Sequence, residues 1–228
     1  MMYMPLAVAA LAGLAAAAPV VPRQSCVSGL YIIVARGSEE PAGEGKTSQV
    51  ADMIVSAVPG STSVAVDYPA SVFGDGTYPT SVKDGINDAK AKIQDYVDAC
   101  GATSQIVLLG FSQGGNVMTD VLAGGVAKPD PITSDYSQYI TAVAVFGDPT
   151  FTPGQSFDQG TSTTGGIFER EEGGDSLALL NTYADIIQSY CDDGDLYCAS
   201  GSDSSVHGQE VPSHAQAATD FVASLAGY

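Results

Sequence analysis

Five short apolar runs limit what this chain can fold into. "LYIIVA" at 30–35, "VAV" at 64–66, "IVLL" at 106–109, "ITAVAVF" at 140–146 and "IIQSY" at 186–190 are near-continuous and rich in β-branched residues. Strands covered on both faces read this way, because neither face leaves polar side chains a solvent side. Between the runs, "KTSQVADMIVSAV" and "SVKDGINDAKAKIQDYVDAC" space apolar residues three and four apart, with Ile86, Ala89, Ile93, Tyr96 and Val97 making one helical stripe in the second. A last helix is expected over roughly 212–226. Strand and helix alternate, so the expected class is α/β: a three-layer α/β/α sandwich around about five parallel strands. A chain of 228 residues supports one sizeable core, read as a single domain over 26–228, and no internal repeat is found.

Ahead of that domain, Pro5 to Ala17 form an apolar run too short to span a bilayer and without a charged stop-transfer flank. Residues 1–18 are read as a secretory signal peptide, with an N-terminal core helix as the alternative. Export places Cys26, Cys100, Cys191 and Cys198 in an oxidising route, where disulfides are expected. The absence of any CxxC, with both histidines outside a ligand-spaced cluster, argues against a metal site. The strand order then limits the pairing. Cys26 and Cys100 precede strands and belong to the amino edge of the sheet, whereas Cys191 follows the last strand at the carboxyl edge, a strand length of roughly 17–20 Å away. Only Cys26 with Cys100 and Cys191 with Cys198 fit disulfide reach.

Eight Lys and Arg against 26 Asp and Glu give a net charge of −18, which repels nucleic acid and anionic lipid. A secreted monomer acting on an uncharged substrate, with no cofactor, is expected.

The chemistry gathers around "IVLLGFSQGGNVMTDVLAGG". Gly110-Phe111-Ser112-Gln113-Gly114 is Gly-x-Ser-x-Gly directly after an apolar strand and before a helix that ends at Gly124-Gly125. A nucleophile elbow needs that context: a strained strand-to-helix turn lifts the hydroxyl above the sheet, and the helix N-terminus favours an oxyanion beside it. A serine nucleophile needs a base, for which the chain has only His207 and His214, and the base needs an orienting acid. "CDDGDLYC" (191–198) leaves the same sheet edge as Ser112 and lies between it and His207 in sequence, the Ser, acid, His order of α/β-hydrolases. Spacing alone leaves Asp192, Asp193 and Asp195 all open as that acid. "DPTFTPGQSFDQGTSTTGGIFEREEGGD" (148–175) reads as a long irregular excursion beside the site.

"GFSQGG", the cysteine-closed acidic loop, a histidine nine residues after its second cysteine, "VDYPAS" and "VFGDPTF" together resemble the cutinase and acetylxylan esterase family, over about Cys26 to the C-terminus. The resemblance implies a minimal α/β-hydrolase without a large cap domain. It also implies a secreted serine esterase acting on ester groups of a plant cell-wall polymer. It puts the nucleophile on Ser112, the acid on Asp195 and the base on His207. It points to Ser38, in "VARGSEE", as an oxyanion donor, beside the backbone amide of Gln113 that follows the nucleophile; an ordinary polar turn is the alternative for Ser38. His214 is then expected on the surface of the first turn of the last helix, and Asp192 and Asp193 as solvated loop acids. The small polar stretch "ASGSDSSV" between acid loop and histidine favours acetyl groups on xylan over cutin. Two alternatives stay open: a cutinase, and a non-catalytic secreted protein on a hydrolase scaffold.

Overall fold

The computed structural model describes residues 1, 25–74, 76–125 and 128–228, so the signal-peptide reading falls, past Met1, outside the described residues. Six strands in those residues form one all-parallel sheet: β1 (Tyr31–Ala35), β2 (Thr62–Ala65), β3 (Ile106–Phe111), β4 (Ile140–Phe146), β5 (Asp158–Gln159) and β6 (Ile187–Tyr190), in the order β2-β1-β3-β4-β6-β5. The helices are α1 (Ser48–Ala57), α2 (Tyr78–Cys100), α3 (Gln113–Ala123), α4 (Ser134–Ser137), α5 (Asp175–Asn181) and α6 (Ser204–Leu225).

Strand side chains alternate between two cores, as the period of two requires. Tyr31, Ile33 and Ala35 face α2 and α3, in one core with Ile86, Ile93, Val117 and Val121. Ile32 and Val34 face α1 and α6, against Ile54, Val211, Ala218 and Val222. The central strands β1, β3 and β4 are thus covered on both sides, while the edge strand β2 is half-buried, and a three-layer sandwich results.

Two departures from expectation bear on the site. The excursion after β4 contributes a sixth strand: Asp158 and Gln159 extend the sheet beside Ser189 and Tyr190, a pair too short to leave a periodic signature. And α6 begins at Ser204, eight residues before the expected start near 212. Pro212 looks like a first-turn residue, where proline is favoured, but it lies inside the helix. The true start is Asp203, whose carboxylate accepts the Ser205 N–H at 2.8 Å as an N-cap. An interior proline costs about 3 kcal/mol, and burial of Val211, Ala215, Ala218 and Val222 against the sheet offsets it.

The register sets the position of the site. Ala35 pairs with Gly110, Phe111 with Phe146, and Phe146 with Tyr190, so the carboxyl ends of β1, β3, β4 and β6 stand in one row. Two disulfides staple the two ends of the sheet, Cys26 to Cys100 at the amino edge and Cys191 to Cys198 at the carboxyl edge.

Candidate active site

Ser112 follows β3 with φ 54° and ψ −119°, a conformation that side chains avoid. Three features hold it there. Its N–H donates to the Phe146 carbonyl at 2.8 Å, and its carbonyl accepts the Asn116 N–H at 3.2 Å as the first turn of α3 closes. The turn is also too tight for side chains at the motif's glycines. A Cβ on Gly110 would lie 2.3 Å from the Gly114 carbonyl oxygen, and one on Gly114 would lie 2.0 Å from that of Ala35. Gly-x-Ser-x-Gly is therefore a packing requirement of this crossing, with Ser112 left at its apex.

His207, in the first turn of α6, presents Nε2 to Ser112 Oγ at 2.9 Å and Nδ1 to Asp195 Oδ2 at 2.8 Å. Because Nδ1 faces a carboxylate, the proton belongs on Nδ1, and Nε2 accepts from the serine hydroxyl. The ring lies between Phe111, with centroids 4.9 Å apart, and the edge of Tyr197 at 4.6 Å. Gly147, at φ 60°, clears its other flank: a Cβ there would sit 2.8 Å from His207 Cε1.

Asp195 is fully buried. Its Oδ1 accepts the N–H groups of Tyr197 at 2.7 Å and Cys198 at 2.9 Å, which leaves Oδ2 for His207. Burial pushes the Asp195 carboxyl up, but the hydrogen bond and charge of His207 with the two backbone donors outweigh it and hold the group below its ordinary value. Asp195 also forms a parallel bridge with Asp203, the N-cap of α6, so the Cys191–Cys198 loop and the helix that carries His207 are joined at the backbone.

Ser38 lies half-buried in the turn after β1 and lines the same cavity as Ser112 and His207. That turn is braced by Glu40, whose carboxylate accepts the N–H of Gly37 at 2.7 Å and of Lys46 at 3.0 Å. The Gln113 side chain is buried, accepting from Ser81 Oγ and donating to the Ser71 carbonyl, both at 2.9 Å. Its backbone N–H belongs to the first turn of α3, where no intrahelical acceptor exists. Ser38, Ser112 and His207 thus line one cavity of about 260 Å³, with Asp195 buried behind His207.

The cutinase family model matches residues 26–226. The chain belongs to the cutinase family. It is 33% identical, over 96% of its length and 97% of the relative's, to acetylxylan esterase 2 of Talaromyces purpureogenus. To cutinase 11 of Verticillium dahliae it is also 33% identical, over 92% of its own length and 73% of the relative's. The catalytic core domain of acetyl xylan esterase from Trichoderma reesei superposes with a TM-score of 0.79 at 31% identity, covering 88% of this chain and 100% of that one. As a cutinase-family member it is a carboxylic ester hydrolase, and among the described residues no large cap domain covers the sheet.

Some residues around the cutinase-family site carry no sequence signal. Phe73, Tyr78 and Phe168 form an edge-on aromatic cluster, with centroids 5.3 to 5.9 Å apart, on the cavity rim. Phe73 and Tyr78 lie five residues apart, and only the fold brings the distant Phe168 to them. Asp192 is not a free loop acid: its Oδ1 accepts the N–H and hydroxyl of Thr161, each at 3.1 Å, and its Oδ2 meets His214 Nε2 at 2.9 Å. His214 in turn stacks on Tyr190 and sits mid-helix, where it fastens the acid loop. His214 is mid-helix, not in the first turn, because α6 starts earlier than Pro212 suggested.

Among the described residues, two clusters bring ligand-type atoms together, Cys191, Cys198 and Glu210, and Asp192, Glu210 and His214. In the first the sulfurs are joined to each other. In the second, Asp192 and His214 are already bonded, and the second oxygen of Glu210 has no partner.

Proposed function

We propose that the chain is a secreted serine esterase whose triad is Ser112, His207 and Asp195, and that it removes acetyl groups from xylan. The observation that carries the triad is the unbroken hydrogen-bonded line from Ser112 Oγ through His207 to Asp195, at 2.9 and 2.8 Å, opening on the cavity. In this reaction Ser112 Oγ attacks the ester carbonyl carbon as its proton passes to His207 Nε2. The amides of Ser38 and Gln113 receive the oxyanion, and Asp195 holds the imidazolium. His207 gives the proton to the leaving alcohol oxygen as the carbonyl carbon–oxygen bond breaks. Water then attacks the acyl-enzyme by the same route and frees the acid.

Cavity size favours a small acyl group. About 260 Å³ falls below the roughly 300–1,000 Å³ that encloses a drug-sized ligand. The near-full-length likeness to acetylxylan esterase 2 points the same way. A polyester substrate is the second reading, favoured by the apolar wall of Val72, Phe73 and Phe168 and by the likeness to cutinase 11.

An active-site phosphonate is expected to label Ser112, and Ser112→Ala to abolish hydrolysis of p-nitrophenyl acetate; a folded wild-type protein that takes up no label overturns the triad. A profile from acetyl to long acyl esters, run beside acetylated xylan, decides the substrate. Rates that fall steeply beyond butyryl support deacetylation, and rates that rise with chain length support the polyester.

A further inference from the structure

Glu210 has no exposed surface and lies three residues past His207 on the same face of α6. Its Oε1 accepts the Asp192 N–H at 2.7 Å, at the start of the acid loop, and lies 3.6 Å from Cys198 Sγ at the loop's end. Its Oε2 is buried without a hydrogen-bond partner. A side-chain nitrogen, His214 Nε2, lies 3.8 Å from it and is already engaged by Asp192. From the end of β4, Gly147 offers only backbone, since a Cβ there would meet Glu210 Cγ at 3.4 Å. The groups facing Glu210 are therefore two acids of the loop, Asp192 and Asp195, and one shared histidine.

Two carboxylates cannot both stay ionised in such a space. Asp195 is the one equipped to be an anion, with two N–H donors and the His207 ring. The remaining proton belongs to Glu210. Burial, with the charges of Asp195 and Asp192, pushes its carboxyl up to about 9 against the pull of the Asp192 N–H.

We propose that neutral Glu210 is a positioning residue: it clamps the Cys191–Cys198 loop from below so that Asp195 meets His207, and loss of its proton undoes that placement. This rests on the triad reading above. Ionisation would put a second anion beside Asp195 with no cation of its own, and the cheapest relief is to push the loop, with Asp195, away from His207. Turnover then falls although Ser112 and His207 are intact.

The test is the pH dependence of kcat and KM on p-nitrophenyl acetate from pH 5 to 10.5 for wild type, Glu210→Gln and Glu210→Ala. Gln keeps an acceptor for the Asp192 N–H and cannot ionise. Wild type is expected to lose kcat with a midpoint near pH 9 while KM changes less than threefold. E210Q should lack that alkaline limb, and at pH 7 should turn over at least tenfold faster than E210A. An E210Q limb superimposable on the wild-type limb overturns the proposal, as does a wild-type profile flat to pH 10. If E210A does not fold, the E210Q profile decides alone. Phosphonate labelling of the same wild-type preparation separates the two claims: unlabelled Ser112 sinks the triad reading, whereas labelled Ser112 with an unmoved alkaline limb sinks only the role of Glu210.

Discussion

Asp192, Asp193 and Asp195 have the same chemistry within four residues, and the fold gives them three different environments. Gly194, at φ 86°, turns the chain so that Asp195 points into the protein, where two N–H groups and His207 await it. Asp192 points sideways to Thr161 and His214. Asp193 contributes a backbone N–H to Thr161 Oγ1, and its carboxylate is exposed. A one-residue change of direction at a glycine is not written in spacing, so the residues alone left the acid open and only the family pattern selected Asp195. Gly-x-Ser-x-Gly was legible for the opposite reason: each glycine answers to a clash, so the motif itself encodes the turn. Single Asn substitutions separate the three acids. Asp195→Asn is expected to lower kcat by roughly 10³–10⁴, the scale seen when a triad base loses its orienting carboxylate. Asp193→Asn should leave kcat within twofold, and Asp192→Asn should fall between, because it loosens the loop without removing the acid. Measured kcat values on a short ester check the ranking, and a damaging D193N with a benign D195N contradicts the assignment.

At the scale of elements, the acid loop and the 148–176 segment are irregular stretches held by specific fasteners. The Cys191–Cys198 disulfide closes eight residues, so loop entropy limits its stabilisation to about 2.5 kcal/mol. Its greater effect is to hold the two ends of the loop while Glu210 and His214 fasten Asp192 at its start and the Asp195–Asp203 bridge fixes its middle. Replacing both cysteines by Ala should therefore cost more in kcat, at least tenfold at 25 °C, than the accompanying drop in melting temperature accounts for. The check is activity measured well below that melting point. The long segment is fastened by Arg170. Its buried guanidinium donates from Nη2 to Asp120 Oδ1 and Thr119 Oγ1, both at 2.8 Å, and from Nη1 to the Gly124 carbonyl at 3.0 Å. This carries Pro149, Ile167 and Phe168 to the cavity wall. Strand and helix periodicity could not show it, because one Arg–Asp pair 50 residues apart in sequence does the work of a regular element. Arg170→Met strands Asp120 with only the partly exposed Lys128 for a cation. A loss of about 3 kcal/mol in urea unfolding is expected; a loss below 1 kcal/mol would mean that Lys128 suffices.

On the scale of the whole molecule, the buried acids set how stability depends on pH. Burial raises Glu210 to about 9 and Asp158 to about 6, and raises Asp148 as well despite Arg170 and the Thr119 and Thr150 hydrogen bonds. Each of these groups keeps its proton when folded and loses it more readily when unfolded, so its stabilising effect is complete below the unfolded value near 4 and fades as pH rises through the folded value. Asp195 acts in the opposite sense: held below its ordinary value, it stabilises the fold above about pH 4 and loses that effect in acid. The net charge of −18 adds self-repulsion that grows as carboxylates ionise, in the same direction as the raised groups. The melting temperature should therefore peak near pH 4–5, fall most steeply up to pH 6 while both Asp158 and Glu210 contribute, and keep falling to about pH 9 through Glu210, with Asp148 acting in the same direction. Glu210→Gln removes the last part of that slope, so the gap in melting temperature between E210Q and wild type should move in favour of E210Q as pH rises from 5 to 9 and stay level above. Thermal melts at constant ionic strength check both statements. A wild-type maximum at pH 7 or above, or a gap that does not change with pH, would mean that Glu210 is ionised in the folded protein.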